Sequence, residues 1–416
     1  MKTRGIALFL IITILTLGTV SCSLPVPSEY VAGNLGSYNV PDFNTSKFKA
    51  VENVYRDYFV RDLPDAETLA ELTASLYFEN FHEKIDTGDK TAVTDALLSC
   101  YVYAIGDRYS HYRTAEEYES YDQSMSGEFY GIGITVTYNR VEGTVTVSEV
   151  FSDGAAAEAG INVGDLIIGV DGLLLSDIGY DALIDKIRGE NNTRVTVTVL
   201  RDGVELSFEA TRRKVLDKSV SYSIDENKIG YVKITSFKAN TGELFIEAID
   251  YLIEIGARGI VYDLRSNPGG YLSAVLETLS YIAPKGTTLV SFSNGYGNPQ
   301  KDKTDASLSL PSVVLCNENT ASAGELFVAA MRDFDEVYGY FEVVTVGATT
   351  YGKGIMQNTY LLSDGSTVTL TVAYYNPPSG VNYDGEGIEP DRAVSDTESG
   401  DPQLDAAYTE IYQLVN

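Results

Sequence analysis

The chain has 416 residues, enough for two or three domains at a typical size of roughly 150 residues each. Acidic side chains outnumber basic ones by 59 to 30, and the net charge of −29 argues against a nucleic-acid partner, because phosphate binding needs clustered lysines and arginines. Histidines and cysteines are too few for a metal cluster and no glycine-rich phosphate-binding motif occurs, so we expect neither a metal nor a nucleotide cofactor.

The amino terminus has the features of an export signal. Two basic residues precede the apolar stretch 6–17, and small residues follow it up to Cys22. The stretch is short for a membrane span, and Cys22 after small residues resembles a lipoprotein processing site. We therefore predict that 1–22 is a signal peptide and that the exported protein is anchored to the bacterial cell surface through a lipid on Cys22. Of the remaining cysteines, Cys100 and Cys316 fall in different predicted domains, so a disulfide is not expected.

A tether and a helical subdomain are predicted next. Residues 23–44 contain prolines, glycines and serines with little apolar periodicity, which is typical of a tether. Within 45–118, apolar residues recur at helical spacing and predict three amphipathic helices. The apolar positions are Phe48, Val51, Val54, Tyr55 and Tyr58, then Leu69, Leu72, Leu76 and Tyr77, then Val93, Leu97, Leu98 and Tyr101. The pattern fits either a packing subdomain or a homodimer interface and does not choose between them.

Residues 119–213 carry the signatures of a peptide-binding module. The segment 129–134 (Phe-Tyr-Gly-Ile-Gly-Ile) begins a strand, 155–172 contains Ala-Gly-Ile-x-x-Gly-Asp-x-Ile, and 195–200 alternates as a closing strand. Together these segments resemble a PDZ domain. Such modules bind an extended peptide by strand addition, while N–H groups of a glycine-containing loop hold its terminal carboxylate. The loop residues that we predict to bind a peptide tail are Tyr130, Gly131, Ile132 and Gly133.

The segment 214–396 predicts an α/β core. Strand-like runs alternate with helical ones, which favours a layer with largely parallel strands. The predicted strands are 229–235, 259–263 and 312–316, and the predicted helices are 241–255, 272–282 and 322–332. Residues 397–416 are predicted to form a carboxyl-terminal tail.

Two short motifs in this core suggest acyl transfer by a serine. Ser322 lies in the segment 319–326 (Asn-Thr-Ala-Ser-Ala-Gly-Glu-Leu), and Lys353 follows 31 residues later within Gly-Lys-Gly-Ile-Met-Gln. Each motif alone is more often a helix cap or a solvated turn. Histidine, the usual base for a serine, is represented only by His82 and His111, so the lysine is the leading candidate base.

A resemblance to a known family rests on these motifs and three further segments. They are Val-Tyr-Asp-Leu-Arg-Ser-Asn-Pro-Gly-Gly-Tyr at 261–271, Gly-Glu-Gly-Ile-Glu-Pro-Asp at 385–391, and Asp-Arg-Tyr-Ser-His-Tyr at 107–112. In the order in which they occur along the chain, these motifs and segments resemble the carboxyl-terminal processing peptidases, or tail-specific proteases, over roughly 45–395. The resemblance implies an α/β, crotonase-like spiral catalytic core with an inserted PDZ domain and an N-terminal helical subdomain. It also implies a serine endopeptidase that acts on protein or peptide substrates with free carboxyl-terminal tails.

The resemblance assigns roles within the predicted site. Ser322, between a strand and a helix, is the candidate nucleophile, and Lys353, kept neutral by burial, is its candidate base. Gln357 would orient the lysine without adding a charge. The oxyanion would accept hydrogen bonds from the N–H of Ala323 and from that of either Gly269 or Gly270. Asp263 and Arg265 are expected to brace the same turn.

Control of the site and rival functions remain open at this point. Arg188, in an Ile-Arg-Gly segment that resembles one in gated family members, is a candidate regulatory contact, although it also fits a solvated cation at a helix end. One rival function is a catalytically silent PDZ lipoprotein that binds protein tails as an adaptor. A serine enzyme with a histidine base is less favoured, because no Gly-x-Ser-x-Gly elbow occurs and His111 falls at the predicted junction between the helical and PDZ segments.

Overall fold

The computed structural model of the chain describes residues 29–139, 142–151, 154–216, 219–293, 298–302, 308–395 and 400–416. The predicted signal peptide and Cys22 lie outside the described residues. The described chain forms two compact units. The first contains 29–53 and Leu63–Ile105, and the second contains Val54–Asp62 and Gly106–Asn416.

The first unit is helical. After a short helical turn come the three helices that the apolar periodicity predicts, and most of the predicted apolar positions are buried, although Tyr58 and Leu72 are exposed. The helices are α1 (Val31–Asn34), a 3₁₀ turn (Leu35–Tyr38), α2 (Thr45–Tyr58), which continues into the second unit, α3 (Ala66–Asn80) and α4 (Lys90–Ala104). Asp65 and Asp89 cap α3 and α4, because each carboxylate accepts hydrogen bonds from two N–H groups of the first helical turn.

The predicted tether is wrong as far as its residues are described. Val31 and Leu35 are buried in the first unit. The buried carboxylate of Glu52 accepts hydrogen bonds from the N–H groups of Val31 at 2.6 Å and Ala32 at 3.2 Å. These contacts satisfy the free N–H groups at the start of α1, so the segment folds onto α2 instead of extending.

Residues 106–216 of the second unit begin with a short strand and a helix and continue into an antiparallel sheet. The elements are β1 (His111–Arg113), α5 (Ala115–Met125), β2 (Glu128–Gly131), β3 (Ile134–Asn139), β4 (Thr144–Val150), α6 (Ala155–Ala159), β5 (Leu166–Val170), β6 (Leu173–Leu174), α7 (Leu175–Ile187), β7 (Arg194–Arg201), β8 (Val204–Thr211) and β9 (Arg213–Leu216). The strand order is β3-β4-β5-β7-β8, with β6 paired to β5, so β3 is an edge strand. The strand predicted to begin at 129 is instead β2, which pairs with β9 outside this sheet.

The remainder of the second unit is the predicted α/β core. Its elements are β10 (Val220–Ile224), β11 (Ile229–Ile234), α8 (Thr241–Glu254), β12 (Gly259–Asp263), α9 (Leu272–Ile282), β13 (Thr288–Phe292), β14 (Gln300–Lys301), β15 (Ser312–Cys316), α10 (Ala323–Glu336), β16 (Val343–Gly347), β17 (Ile355–Leu361), β18 (Thr367–Asn376), β19 (Arg392–Ala393) and α11 (Pro402–Leu414). One sheet has the order β10-β11-β12-β15-β16-β19, with every pair parallel except the first.

Both faces of this sheet are covered, as a largely parallel sheet requires. Helices α8, α9 and α10 pack on one face, where Ile260 and Tyr262 of β12 are buried. Helix α11 packs on the other face, where Ala407 and Ile411 are buried against Val261 and its neighbours. The predicted carboxyl-terminal tail is therefore wrong for the described residues 400–416, because this helix completes the core.

The predicted domain boundary after residue 118 is also wrong. It falls inside α5, and the preceding strand β1 pairs with β18 of the core through His111, Tyr112 and Arg113. His111 thus belongs to the core rather than to a junction between domains. None of the helices in the described residues has both the length and the apolar character needed to cross a bilayer.

Candidate active site

The predicted catalytic segments meet in one cleft of about 890 Å³ in the second unit. We call it the Ser322 cleft. It is lined by all six residues predicted for catalysis and oxyanion binding: Gly269, Gly270, Ser322, Ala323, Lys353 and Gln357. Parallel neighbours β12 and β15 end at the same edge of the sheet, so the turn after β12 and the loop after β15 both reach this cleft.

Ser322 has a strained backbone at the start of α10. Its φ of 54° and ψ of −118° lie in a region that residues other than glycine rarely adopt. Such a conformation costs on the order of 1–3 kcal/mol and tends to occur at functional sites. The strain leaves the side chain in the cleft, beside the amino-terminal end of a helix whose N–H groups favour negative charge. The sequence predicted the position of this serine but not its strain.

The turn after β12 approaches Ser322 closely because of Gly269. A Cβ at Gly269 would lie 2.8 Å from the Cβ of Ser322 and 2.9 Å from the backbone nitrogen of Ala323. The N–H of Gly269 donates to Oδ1 of Asn267 at 2.8 Å, so it is not available to a substrate. In the described part of the chain, the N–H groups of Gly270 and Ala323 have no acceptor. Of the two glycines predicted as oxyanion donors, Gly270 is therefore the better candidate.

Asn267 holds this turn in place. Its side chain is fully buried, and Nδ2 donates to the carbonyl of Ile234 at 2.9 Å while Oδ1 accepts from Gly269. Its own carbonyl accepts from the N–H of Ala321 at 2.8 Å, next to Ser322. Asn267 therefore connects the turn after β12, which carries Gly269 and Gly270, to the loop that carries Ser322. The sequence motif contained this asparagine, but its spacing gave no indication of these partners.

Lys353 lies in the Ser322 cleft without bonding to Ser322. Its ammonium nitrogen is 4.6 Å from the centroid of the Tyr109 ring, an arrangement that stabilises a cation. Burial lowers the pKa of Lys353, and the carboxylates of Asp107 and Glu325 partly offset that effect. A lysine accepts a proton only when it is neutral, and a lowered pKa favours the neutral form.

Gln357 lines the same cleft but is directed elsewhere. Its Nε2 donates to Oγ1 of Thr371 at 3.3 Å, and that hydroxyl donates to Oδ2 of Asp107 at 2.7 Å. Within the described residues, no hydrogen bond joins Gln357 to Lys353. The contact that was predicted between the amide and the lysine is absent from this state.

Tyr375 is a further residue at the site that the sequence did not reveal. Its hydroxyl donates to the carbonyl of Lys353 at 3.1 Å and lines the cleft. Burial raises the pKa of Tyr375, and the neighbouring hydroxyls of Tyr383 and Ser322 partly offset that rise. The phenol therefore stays protonated and contacts both catalytic segments. Tyr375 lies on β18, where nearly every residue is buried. The sequence of such a strand does not distinguish a functional residue from one that only packs in the core.

His111 also reaches the Ser322 cleft, contrary to the prediction from sequence. Burial, and secondarily the guanidinium of Arg113, lower its pKa to about 4. One imidazole nitrogen, Nε2, contacts the guanidinium of Arg113. Because this cation faces Nε2 and helps to lower the pKa of the ring, His111 is poorly placed to accept a proton from Ser322.

Arg265 lies in the turn that follows β12. It forms paired hydrogen bonds with the buried Asp263, at 3.0 and 2.7 Å, and with Asp401, at 2.7 and 2.9 Å. Asp401 also caps α11 by accepting from the N–H of Leu404. The predicted bracing role of Asp263 and Arg265 thus extends to the carboxyl-terminal helix.

The predicted peptide-binding loop lies at the start of the antiparallel sheet. In the part of the chain described, the N–H groups of Ile132 and Gly133 donate to no acceptor. Their carbonyls accept from Ala156 at 2.7 Å and Phe151 at 3.0 Å, which fixes the loop. Gly131 instead pairs with Arg213 in the β2–β9 ribbon. Two free N–H groups on a fixed loop can bind a carboxylate.

Arg188 and Tyr130 line a second cavity, of about 660 Å³. We call it the Arg188 cavity. Its other lining residues come from helix α5 and from the segments around α7, β9 and α8, and they include Asp122, Asp185, Glu190, Lys214 and Lys238. The opposite side of α5 carries Tyr121 and Met125, which line the Ser322 cleft. Helix α5 therefore borders both cavities.

Among the described residues, no group of three or more histidines, cysteines and acidic residues could hold a metal ion.

Comparisons with known proteins agree with this architecture. Residues 228–394 match the model of peptidase family S41, and residues 122–200 match the model of the PDZ domain. The chain is 32% identical over 314 residues to the carboxy-terminal processing protease CtpA of Bacillus subtilis (strain 168), covering 75% of this chain and 65% of that protein. It is 32% identical over 320 residues to a probable CtpA-like serine protease of Staphylococcus haemolyticus (strain JCSC1435), covering 76% of this chain and 62% of that protein.

The chain thus spans slightly less than two thirds of the length of these two relatives. A solved structure, a putative S41 protease from Bacteroides fragilis NCTC 9343, is similar over 88% of this chain and 98% of its own, with 17% identity and a TM-score of 0.54. That likeness supports the fold alone. The two matches show that this chain contains a PDZ domain and a peptidase family S41 domain, and the curated relatives that it resembles are a carboxy-terminal processing protease and a probable CtpA-like serine protease.

Proposed function

We propose that this protein is an exported serine endopeptidase in which Ser322 is the nucleophile and Lys353 the base, and that its PDZ domain captures the carboxyl-terminal tails of its substrates. One observation carries the proposal. The strained Ser322 lines one cleft with Gly270 and Ala323, whose N–H groups have no acceptor among the described residues, and with Lys353, whose pKa is lowered by burial. Nucleophile, oxyanion donors and base are the three parts that acyl transfer by a serine requires.

The proposed reaction has two half-reactions. The hydroxyl of Ser322 attacks the carbonyl carbon of the substrate peptide bond, and its proton passes to the neutral amine of Lys353. The resulting oxyanion accepts hydrogen bonds from the N–H groups of Gly270 and Ala323. Lys353 then gives its proton to the departing amine, leaving an ester on Ser322. Water attacks this ester and gives a proton to Lys353, and Ser322 recovers its proton as the acid product leaves.

Lys353 must move before this reaction can begin. Its amine lies over the Tyr109 ring, so the flexible stem has to rotate toward Ser322. A state in which the base is held apart from the nucleophile is a resting state. A substrate can shift this equilibrium only by binding the assembled state more tightly than the resting one. Gln357 would take up its orienting role in the assembled state.

Tail binding is the proposed source of that shift. An extended tail would add to the free edge of β3, and its carboxylate would accept from the N–H groups of Ile132 and Gly133. Tyr130, which precedes these two residues in the chain, lines the Arg188 cavity together with Arg188. Helix α5 borders both this cavity and the Ser322 cleft. Movement of α5 on tail binding is therefore a physical route from the PDZ domain to the catalytic residues.

The finer predictions from sequence belong to this proposal as well. The crotonase-like spiral of the core, export with lipidation at Cys22, and pairing of two copies through the helices of 45–104 stay predictions. The acidic surface is in keeping with protein substrates rather than nucleic acid.

The test is cleavage of an unfolded model protein with a free tail, followed by mass spectrometry. The intact protein should cleave it, whereas Ser322→Ala and Lys353→Ala should bind the tail without cleaving. Binding without cleavage by the intact protein would instead favour the tail-binding adaptor. Turnover by Lys353→Ala together with loss of activity in His111→Asn would favour the histidine base.

A further inference from the structure

Glu325 connects the two catalytic segments through its side chain. It is fully buried on the first turn of α10, where Oε2 accepts from the N–H of Ser322 at 2.9 Å and from the N–H of Lys353 at 2.8 Å. Oε1 accepts from the N–H of Gly352 and from Oγ1 of Thr350, both at 2.6 Å. One carboxylate therefore bonds to the backbone of both the candidate nucleophile and the candidate base.

These bonds fix the backbone geometry of the site. A buried carboxylate is stable only when its oxygens are matched by donors, and here the four donors come from two segments that are far apart in sequence. If the segment carrying Lys353 moved away from Ser322, the buried charge would lose two or three of its donors. The same bond to the N–H of Ser322 supports its strained backbone.

The charge of Glu325 also acts on the base. The carboxylate raises the pKa of Lys353 against the larger effect of burial. The other titratable and charged groups that act on Lys353 or contact it are Asp107, Arg108, Tyr109, His111 and Asp384. Removal of the Glu325 charge should thus lower the pKa of Lys353, whereas removal of an uncharged neighbour should not.

We propose that Glu325 is the positioning residue of the site, because it fixes the main chain of Lys353 against that of Ser322 while the head group of the lysine stays free to move. The inference rests on the proposed function and adds to it a residue that touches neither substrate nor the reacting atoms. The sequence held a signal for it, since Ser322 and Glu325 have the spacing of a helix capping box.

The network is specific for a glutamate. Glutamine offers only one oxygen, and its amide group would face two of the four donors. Aspartate is shorter by one methylene and would not reach both segments. Glu336, on the same helix, has a side chain that is 61% exposed and is bonded only weakly to Arg332, so Glu336→Gln is the matched control for loss of a charge.

The experiment measures kcat, KM, Tm and the pH profile of Glu325→Gln, Glu336→Gln and the intact protein, with a peptide that has a free tail. We expect Glu325→Gln to lose about 30-fold or more in kcat with KM changed by less than about threefold, and its acid limb to move to lower pH. Glu336→Gln should match the intact protein. An acid limb that does not move, or a kcat near that of Glu336→Gln, would overturn the proposal.

A second pair of variants covers the case in which Glu325→Gln does not fold. Thr350→Val removes one donor and keeps the charge, so kcat should fall by about three- to tenfold while the acid limb stays in place. Thr350→Ser keeps the hydroxyl and should recover most of that loss. Unchanged turnover in Thr350→Val would count against the network. Failure of the proposed function itself would give a different result. In that case the intact protein would not cleave the peptide, or the Ser322→Ala variant would still cleave it.

Discussion

Replacement of Gly269 by alanine is the most direct test of the oxyanion geometry. With φ at +97°, an added Cβ would lie 2.8 Å from the Cβ of Ser322 and 2.9 Å from both the carbonyl of Ala321 and the nitrogen of Ala323. These neighbours are mostly backbone atoms that cannot yield, so the turn must move away from Ser322. The N–H of Gly270 moves with the turn. Loss of one oxyanion donor costs about 10²–10³ in kcat, or about 2.7–4 kcal/mol of transition-state stabilisation.

Gly256→Ala is the matched control for this prediction. Gly256 has a similar φ of +87°, but an added Cβ would meet no atom within 4 Å. Both variants carry a left-handed backbone cost of about 1–2 kcal/mol, and Gly269→Ala adds the cost of displacing the turn, so both should lower Tm and Gly269→Ala should lower it more. Only Gly269→Ala should also lose kcat, by about 100-fold or more, in steady-state cleavage of a tailed peptide. Similar kcat values for the two variants would refute the idea that close approach of this turn builds the oxyanion site.

Further outcomes follow from the charges at the site. Lys353→Arg should abolish turnover while leaving Tm nearly unchanged, because a guanidinium does not release its proton near neutral pH; measurable turnover would rule out the lysine base. Turnover of the intact protein should rise with pH as Lys353 loses its proton and level off below the ordinary lysine pKa, because burial lowers that pKa, and a metal chelator should not change the profile. Asp401→Asn should lower the free energy of unfolding by about 1–2 kcal/mol, because the loss of a partly exposed ion pair costs more than that of an exposed pair and less than that of a buried one. The bond to Arg265 lowers the pKa of Asp401, so its contribution is present above the unfolded pKa and disappears as pH falls through the folded one; denaturation curves at several pH values would detect this loss. Peptides with a free tail should be cleaved faster than amidated ones, and Arg188→Ala should reduce that difference; equal rates for both peptides would exclude sensing of the carboxylate.

The sequence by itself determined six of the fourteen elements described in the core, three strands and three helices. The predicted helix 272–282 and strands 259–263 and 312–316 agree with α9, β12 and β15, and helix 241–255 differs from α8 by one residue. Local hydrophobic periodicity sets such elements, and it is visible in the chain. Ser322 and Lys353 could be recognised for a related reason, since their motifs consist of neighbouring residues.

The tertiary structure decided what depends on residues distant in sequence. A capping pattern can suggest Glu325, but only the fold brings Gly352 and Lys353 onto the same carboxylate. Likewise, the choice between Gly269 and Gly270 depends on which N–H is already bonded to Asn267.

The segments predicted as a tether and a tail show the same division. Neither segment was predicted to pack against the rest of the chain, yet Leu35 is buried in the helical subdomain and Ile411 is buried on a face of the core sheet. Local composition reports how much apolar surface a segment carries. Whether that surface is buried depends on the partner that the fold provides, and this partner is not encoded in the neighbouring residues.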